Sequence, residues 1–248
     1  MSVSVKTFAT KEEAVRVAAD AFEKLIRERA TGRPAVLGLA TGSTPIALYK
    51  ELIRRHKENG LSFKNVITFN LDEYCGLSGD HDQSYRYFMN QQLFDHVDID
   101  KANTHVPLGT LPDAAIDGHC RHYEEGIKAA GGIDIQLLGI GRTGHIGFNE
   151  PPSGPETRTR KVHLDDLTRK DNAVFFGDLD KVPHHAVTMG CGTVLDAKKV
   201  LLLAWGEAKA DIVRKSLKDT PSAQVPASWL QQHKDCEYIL DAAAAAKL

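Results

Sequence analysis

The stretch Ala35-Val36-Leu37-Gly38-Leu39-Ala40-Thr41-Gly42-Ser43-Thr44-Pro45 is an apolar run closed by a short polar turn. Ala35 to Leu39 reads as a buried strand. Pro45 suits the first turn of a following helix, where the N–H that proline lacks would have no partner anyway. An amphipathic pattern then continues to about Lys57. The unit is therefore a strand, a tight turn and a helix.

The same alternation recurs on both sides of this unit. Upstream, Ala14, Val15, Ala18, Ala21, Phe22, Leu25 and Ile26 fall at helical spacing between Thr10 and Arg29, and Gly32 with Pro34 ends that helix. Downstream come an apolar strand at Val66 to Leu71 and helical stretches at Ser84 to Phe94 and Asp113 to about Ala130. Strand-like runs follow at Ile133 to Ile140, Ala186 to Met189, Val200 to Ala204 and Tyr238 to Leu240, with helical patterns at Ala208 to Leu217 and Ala227 to Gln232. Near-continuous apolar strands alternating with helices predict an α/β fold: one domain over residues 1–248, three-layer α/β/α, with a doubly wound, mostly parallel, Rossmann-like sheet. Ligands in such folds bind beyond the carboxyl ends of the strands. Pro151 to Pro155 and Arg169 to Pro183 read as lid segments, and Ala242 to Ala246 as a frayed helix end.

The chain of 248 residues is 42% hydrophobic and 26% charged, enough for one substantial core. Its formal net charge of -2 gives no global basic face for nucleic acid or an anionic membrane, so neither is expected as a partner. The first helix lacks the uninterrupted apolar core of a signal peptide, and no run is long enough to span a bilayer. Cys75, Cys120, Cys191 and Cys236 are scattered without a Cys-x-x-Cys pair, as expected for free thiols in a cytoplasmic protein. An amphipathic outer helix can face solvent or a second copy, which leaves a homo-oligomer open.

Three segments carry candidate chemistry. Thr41-Gly42-Ser43-Thr44 joins a strand to a helix, where backbone N–H groups and the helix N-terminus favour an anion such as a phosphate monoester. A helix cap with a tight turn would use the same residues. The segment lacks the lysine of a P-loop and the glycine spacing of a dinucleotide fingerprint. Asn70-Leu71-Asp72-Glu73-Tyr74 follows the second strand, and only one of its adjacent carboxylates is expected to enter a pocket. Asp72 there could remove a proton next to a carbonyl; a loop carboxylate is the structural alternative. The third segment, Leu138 to Pro151, spaces four glycines around His145 and brings Glu150 near it, an arrangement that can fix an imidazole's tautomer. Eleven histidines raise metal binding as a competing account, but His-Glu-x-x-His, paired Cys-x-x-Cys and a dense acidic loop are all missing, so no metal is expected. Gly-x-Ser-x-Gly is missing too, against a nucleophilic serine.

Taken in order, Leu39 to Pro45, Phe69 to Tyr74 and Gly144 to Pro151 closely resemble the glucosamine-6-phosphate deaminases. The likeness continues through Ser84-Tyr85, Phe94 to Val97, Thr157 to Arg160, Val182-Pro183 and Gly206 to Lys209, nearly the whole chain. The sister family, the 6-phosphogluconolactonases, looks similar at the phosphate turn and the Gly-His pair, but the continuation Ile146-Gly147-Phe148-Asn149-Glu150-Pro151 favours the deaminase. The resemblance implies a sugar-phosphate substrate and no redox cofactor or metal. Asp72 would shuttle the C2 proton, His145 would open the pyranose ring, and Glu150 would support His145. Thr41, Gly42, Ser43, Thr44 and Lys209 would hold the phosphate.

Three positions depart from the family pattern. Thr143 stands where an Asp or Asn often assists ring opening; it could hydrogen-bond, leaving Glu150 to orient the imidazole. Val174 stands where an Arg for the phosphate often precedes the Phe-Phe pair, so Lys209, Arg169 or Arg142 would have to supply the charge. Val162 replaces a basic residue of the allosteric members, Arg160 is kept, and the chain ends at Leu248, so no activation by N-acetylglucosamine 6-phosphate is expected. Galactosamine-6-phosphate turnover and a non-catalytic sugar-phosphate sensor are the remaining alternatives.

Overall fold

A computed structural model describes residues 3–248. Its elements, in chain order, are β1 (Ser4–Phe8), α1 (Lys11–Glu28), β2 (Ala35–Leu39), α2 (Ile46–Asn59), β3 (Val66–Asn70), β4 (Asp72–Tyr74), α3 (Tyr85–Gln92), β5 (Thr104–His105), α4 (Asp113–Ala129), β6 (Ile135–Leu138), β7 (Arg160–His163), α5 (Asp166–Phe176), β8 (His185–Thr188), α6 (Cys191–Leu195), β9 (Lys199–Ala204), α7 (Ala210–Lys218) and β10 (Cys236–Asp241). Seven strands form one sheet in the order β1-β10-β9-β6-β2-β3-β5, with every pairing parallel. Helices cover both faces, which gives the three-layer α/β/α arrangement. The central strands β2 and β6 are buried along their whole length, which accounts for their unbroken apolar character.

The strand order reverses between β2 and β6. From β2 the chain builds outward through β3 and β5; from β6 it builds the other way through β9 and β10, and the N-terminal β1 lies outside β10 at that edge. Loops leaving the two central strands therefore diverge to opposite faces, and a crevice opens at their carboxyl ends. The Thr41–Thr44 turn leaves β2 and the glycine-rich loop leaves β6, so both border this crevice.

The largest difference from expectation is a second sheet. β4, β8 and β7 form a small antiparallel sheet, whereas the apolar run Ala186 to Met189 predicts a strand of the parallel one. Leu71 is the pivot. Its N–H donates to the Leu39 carbonyl at 3.0 Å, continuing the main sheet, while its own carbonyl accepts from Met189 N–H at 2.7 Å, beginning the small one. Asp72 and Glu73 thus lie in a new strand rather than at the end of β3. A separate apolar cluster of Tyr74, Phe148, Leu164 and Ala186 packs beneath this sheet, and Val162 adjoins it.

Several smaller elements also differ. β1 has an exposed, mixed sequence that carries no apolar run, yet it completes the edge of the main sheet. Arg169 to Pro183, read from sequence as a lid loop, contains most of α5, which is capped by the Asp165 carboxylate accepting from Leu167 N–H at 2.7 Å and closed by Gly177 in the left-handed region. The alanine-rich tail is a turn rather than a frayed helix: Ala244 is buried and donates its N–H to Asp241 Oδ1 at 2.8 Å. All four cysteines are free, and no helix among the described residues is long and apolar enough to cross a membrane.

Candidate active site

A cavity of about 400 Å³ occupies the crevice at the ends of β2 and β6. Thr41, Gly42, Ser43 and Thr44 form one wall, Asp72 and Tyr85 another, the loop Gly139 to Arg142 with His145 a third, and Lys209 closes the side beside Ile140. The phosphate turn is held from outside: Tyr49 Oη donates to the Ala40 carbonyl at 2.5 Å and Trp205 Nε1 to the Thr44 carbonyl at 3.2 Å. These bonds hold the carbonyls at the two ends of the turn, at the start of the helix that follows.

Asp72 and Glu73 separate as strand geometry demands. Asp72 lines the cavity and is only 5% exposed; Glu73 is buried on the other side, away from it. Burial pushes the Asp72 carboxyl up to about 8, the nearby Glu73 charge pushes the same way, and the Phe148 N–H offsets a little. Glu73 accepts from three backbone N–H groups, those of Tyr74 at 2.9 Å, Tyr85 at 2.9 Å and Arg86 at 3.0 Å. It thereby anchors the first turn of α3 and, with it, the Tyr85 ring that lines the cavity. Burial still raises Glu73 to about 7.

His145 stands on the far wall. Its Nδ1 lies 3.1 Å from Glu150 Oε2 and 3.0 Å from Thr143 Oγ1, and the Thr143 hydroxyl is itself 3.2 Å from Glu150 Oε2. With Nδ1–H donating into this pair, Nε2 is left as the nitrogen for the cavity. Burial alone would raise Glu150, but its bonds from His145, Thr168 and Thr143 outweigh that and hold it below its usual value, so an ionised carboxylate backs the imidazole. The glycines are needed sterically. A Cβ at Gly141 would sit 2.0 Å from His145 Nε2, and one at Gly147, where φ is +56°, would reach 2.9 Å from Thr188 Oγ1 and 3.2 Å from Asp72 Oδ2.

Of the residues singled out from sequence, Asp72, His145, Lys209 and Thr41 to Thr44 meet on this cavity, while Thr143 and Glu150 stand behind His145. Lys209 Nζ donates to the Ile140 carbonyl at 2.8 Å, and burial lowers its pKa. Arg142 also borders the cavity. Arg169 does not: its guanidinium is buried and donates to the Leu179 and Val182 carbonyls at 3.0 and 3.2 Å, closing the loop after α5. Val174 is 76% exposed on α5 and lies off the cavity wall. His184 and His185 also lie away from it, beside His163. Among the described residues no group of three or more His, Cys, Asp or Glu side chains is placed to hold a metal ion.

Sequence reasoning misses the contribution of α5. Thr168, Asp171, Asn172 and Phe175 all line the cavity, and Thr168 Oγ1 donates to Glu150 Oε1. Their spacing of three, one and three residues is one helical face, and that periodicity is the available signal. It is obscured because the face is mixed and polar, as a cavity wall must be, rather than apolar.

The architecture and the whole length of the chain have counterparts among known proteins. The family model described as glucosamine-6-phosphate isomerases/6-phosphogluconolactonase matches residues 9–239. A glucosamine-6-phosphate deaminase of Shewanella woodyi is 56% identical over 238 residues, covering 95% of this chain and 88% of that protein. The solved structure of a monomeric glucosamine-6-phosphate deaminase is similar with a TM-score of 0.94 at 44% identity, covering 99% of this chain and 100% of that one. A 6-phosphogluconolactonase from Trypanosoma brucei shares the fold alone, with a TM-score of 0.79 at 20% identity over 99% of this chain and 98% of that one. The chain belongs to the glucosamine-6-phosphate isomerase/6-phosphogluconolactonase family.

Proposed function

We propose that this protein converts glucosamine 6-phosphate and water to fructose 6-phosphate and ammonia by an aldose–ketose isomerisation coupled to deamination. The observation that carries the reading is the pairing, across one cavity, of a buried carboxylate at Asp72 with the Glu150-backed imidazole of His145, beside an anion-binding turn. The lactonase alternative needs water activation but has no use for a second, opposed carboxylate on a substrate carbon. High identity to curated deaminases supports the same choice.

In this mechanism the phosphate sits at Thr41 to Thr44 with Lys209 nearby, and the amino sugar extends toward Asp72. His145 takes the C1 hydroxyl proton at Nε2 and returns a proton to the ring oxygen, which breaks the C1–O5 bond and frees the aldehyde. Glu150 stabilises the transient imidazolium, and Thr143 takes part only as a hydrogen-bonding neighbour of both groups. Asp72 then removes the C2 proton; the electron pair forms the C1–C2 double bond while the C2 ammonium gives up one proton and the C1 oxygen gains one, leaving an enol amine. Return of the proton from Asp72 to C1 gives the C2 imine, and water adding at C2 expels ammonia. A carboxyl raised to about 8 would be largely protonated in an empty pocket. The substrate's own C2 ammonium supplies the opposite charge that favours its ionised form. The four free thiols and the balanced surface charge support a cytoplasmic setting without nucleic-acid partners.

The test is an assay of purified protein with glucosamine 6-phosphate, following ammonia and fructose 6-phosphate together, with 6-phosphogluconolactone and galactosamine 6-phosphate in parallel. Equal release of the two products from glucosamine 6-phosphate is the expected result. Lactone hydrolysis without ammonia, preferential galactosamine turnover, or silence on all three would each displace the proposal.

A further inference from the structure

Two cations from two different elements border the cavity, and they are not equivalent. Lys209 is partly buried and already donates to the Ile140 carbonyl, so its position is fixed by the backbone of the glycine-rich loop. Arg142 sits on that same loop, three residues before His145, with its side chain mostly in solvent. Its ion-pair partner is Asp171, on the cavity-facing stripe of α5. Both side chains of that pair line the cavity. Their charges also reach Lys209, Asp171 favouring its protonated form and Arg142 opposing it, which places all three groups within one electrostatic neighbourhood.

This arrangement is unusual for a site that takes a dianion. α5 brings a carboxylate, not a cation, to the mouth: Arg169 is committed to the Leu179 and Val182 carbonyls. A phosphate approaching Thr41 to Thr44 and Lys209 would meet Asp171 as a like charge and Arg142 as an opposite one. A guanidinium fork binds phosphate oxygens as well as it binds a carboxylate, and the dianion carries the greater charge. Asp171 is about half exposed and can turn to water when it loses its partner.

We propose that Arg142 is a phosphate-binding residue of this protein and that it exchanges Asp171 for the substrate's phosphate on binding. Asp171 is then a competitor built into the site: it holds the guanidinium at the mouth in the empty enzyme and weakens affinity by the free energy of the pair it must give up. Because Asp171 and Thr168 share one face of α5, the exchange also releases the outer end of the helix stripe whose inner end bonds Glu150. The inference rests on the sugar-phosphate reading above.

Arg142→Ala, Arg142→Lys and Asp171→Asn separate the possibilities, measured by KM and kcat for glucosamine 6-phosphate and by calorimetric binding of inorganic phosphate, which needs no turnover. Arg142→Ala is expected to raise KM and the phosphate Kd about tenfold or more, with kcat within about threefold, as loss of one charge-assisted contact predicts. Arg142→Lys should fall between, and Asp171→Asn should tighten both constants a few-fold. Arg142→Ala within about twofold of wild type in both measurements overturns the proposal. So does Asp171→Asn weakening phosphate as much as Arg142→Ala, since the pair would then serve only to hold the loop. Absence of turnover by the wild type, with Arg142-dependent phosphate binding intact, would remove the reaction while sustaining the role of Arg142.

Discussion

Asp72 and Glu73 are neighbours in sequence with opposite surroundings, and their electrostatic coupling can be measured. The limb of kcat/KM that reports a general base in the free enzyme rises with pH as the base ionises. For Asp72, pushed to about 8 by burial and by the charge of Glu73, that limb should lie well above the ordinary carboxylate range. Glu73→Gln removes the neighbouring charge and keeps one oxygen to accept from Tyr74 and Tyr85 while giving up the bond from Arg86, so the limb should move to lower pH. A limb unmoved by this change would mean that Glu73 does not act on Asp72 electrostatically. That only one of the two carboxylates would enter the pocket is legible in the sequence, because alternation along a strand is a property of the backbone. That it is Asp72 follows from the family resemblance, whereas the hold of Glu73 on the start of α3 depends on the turn at Leu71 and on a helix start twelve residues away.

At the scale of elements, the strands and helices that carry unbroken apolar runs are readable, and so are the loops that follow β2 and β6. What escapes are elements whose side chains answer to something other than the main core. β1 is an exposed edge strand, β7 lies in the second sheet, and α5 faces a polar cavity with one side and solvent with another, while β8 is readable as a strand but not as a member of the antiparallel sheet. For α5 the consequence is functional. Thr168 reaches Glu150 from the side opposite His145, so it restrains the carboxylate that orients the imidazole. Thr168→Val keeps the shape and removes the donor. Loss of a hydrogen bond to a charged group is worth about 1.5–3 kcal/mol, so kcat should fall about tenfold or more, with KM within about twofold. Thr168→Ser should restore most of it. Equal losses in the Val and Ser variants would show that the methyl packing matters and the hydroxyl does not.

Across the whole molecule, the active site opposes stability, and the sign can be worked out from the raised carboxyls. The folded protein holds protons on Asp72 and Glu73 more tightly than the unfolded chain does, with values near 8 and 7 against about 4 for free carboxyls. Stability from this source is therefore full below about pH 4 and is lost as pH rises through the two folded values. Asp134 and Glu51, held down to about 2 by arginines and, for Asp134, by Lys198 as well, act in the opposite direction, but their contribution is complete above about pH 5. His105, His119 and His185, lowered by burial, also oppose the pair until they are deprotonated in the unfolded chain, so between about pH 7 and 8.5 the buried pair should dominate. Tm should fall across that range by the equivalent of about 1–2 kcal/mol, since a tenfold change in proton affinity corresponds to about 1.4 kcal/mol. Asp72→Asn removes the ionisable partner that faces the cavity. That variant should have no measurable turnover, a flatter dependence of Tm on pH, and a higher Tm than wild type at the alkaline end of the range. An inactive variant with unchanged Tm slope would mean that the pocket admits enough water to solvate Asp72, and that burial is not what tunes it. The expected pattern instead makes the carboxylate a group whose ionised form the fold disfavours until an amino sugar arrives with the compensating charge.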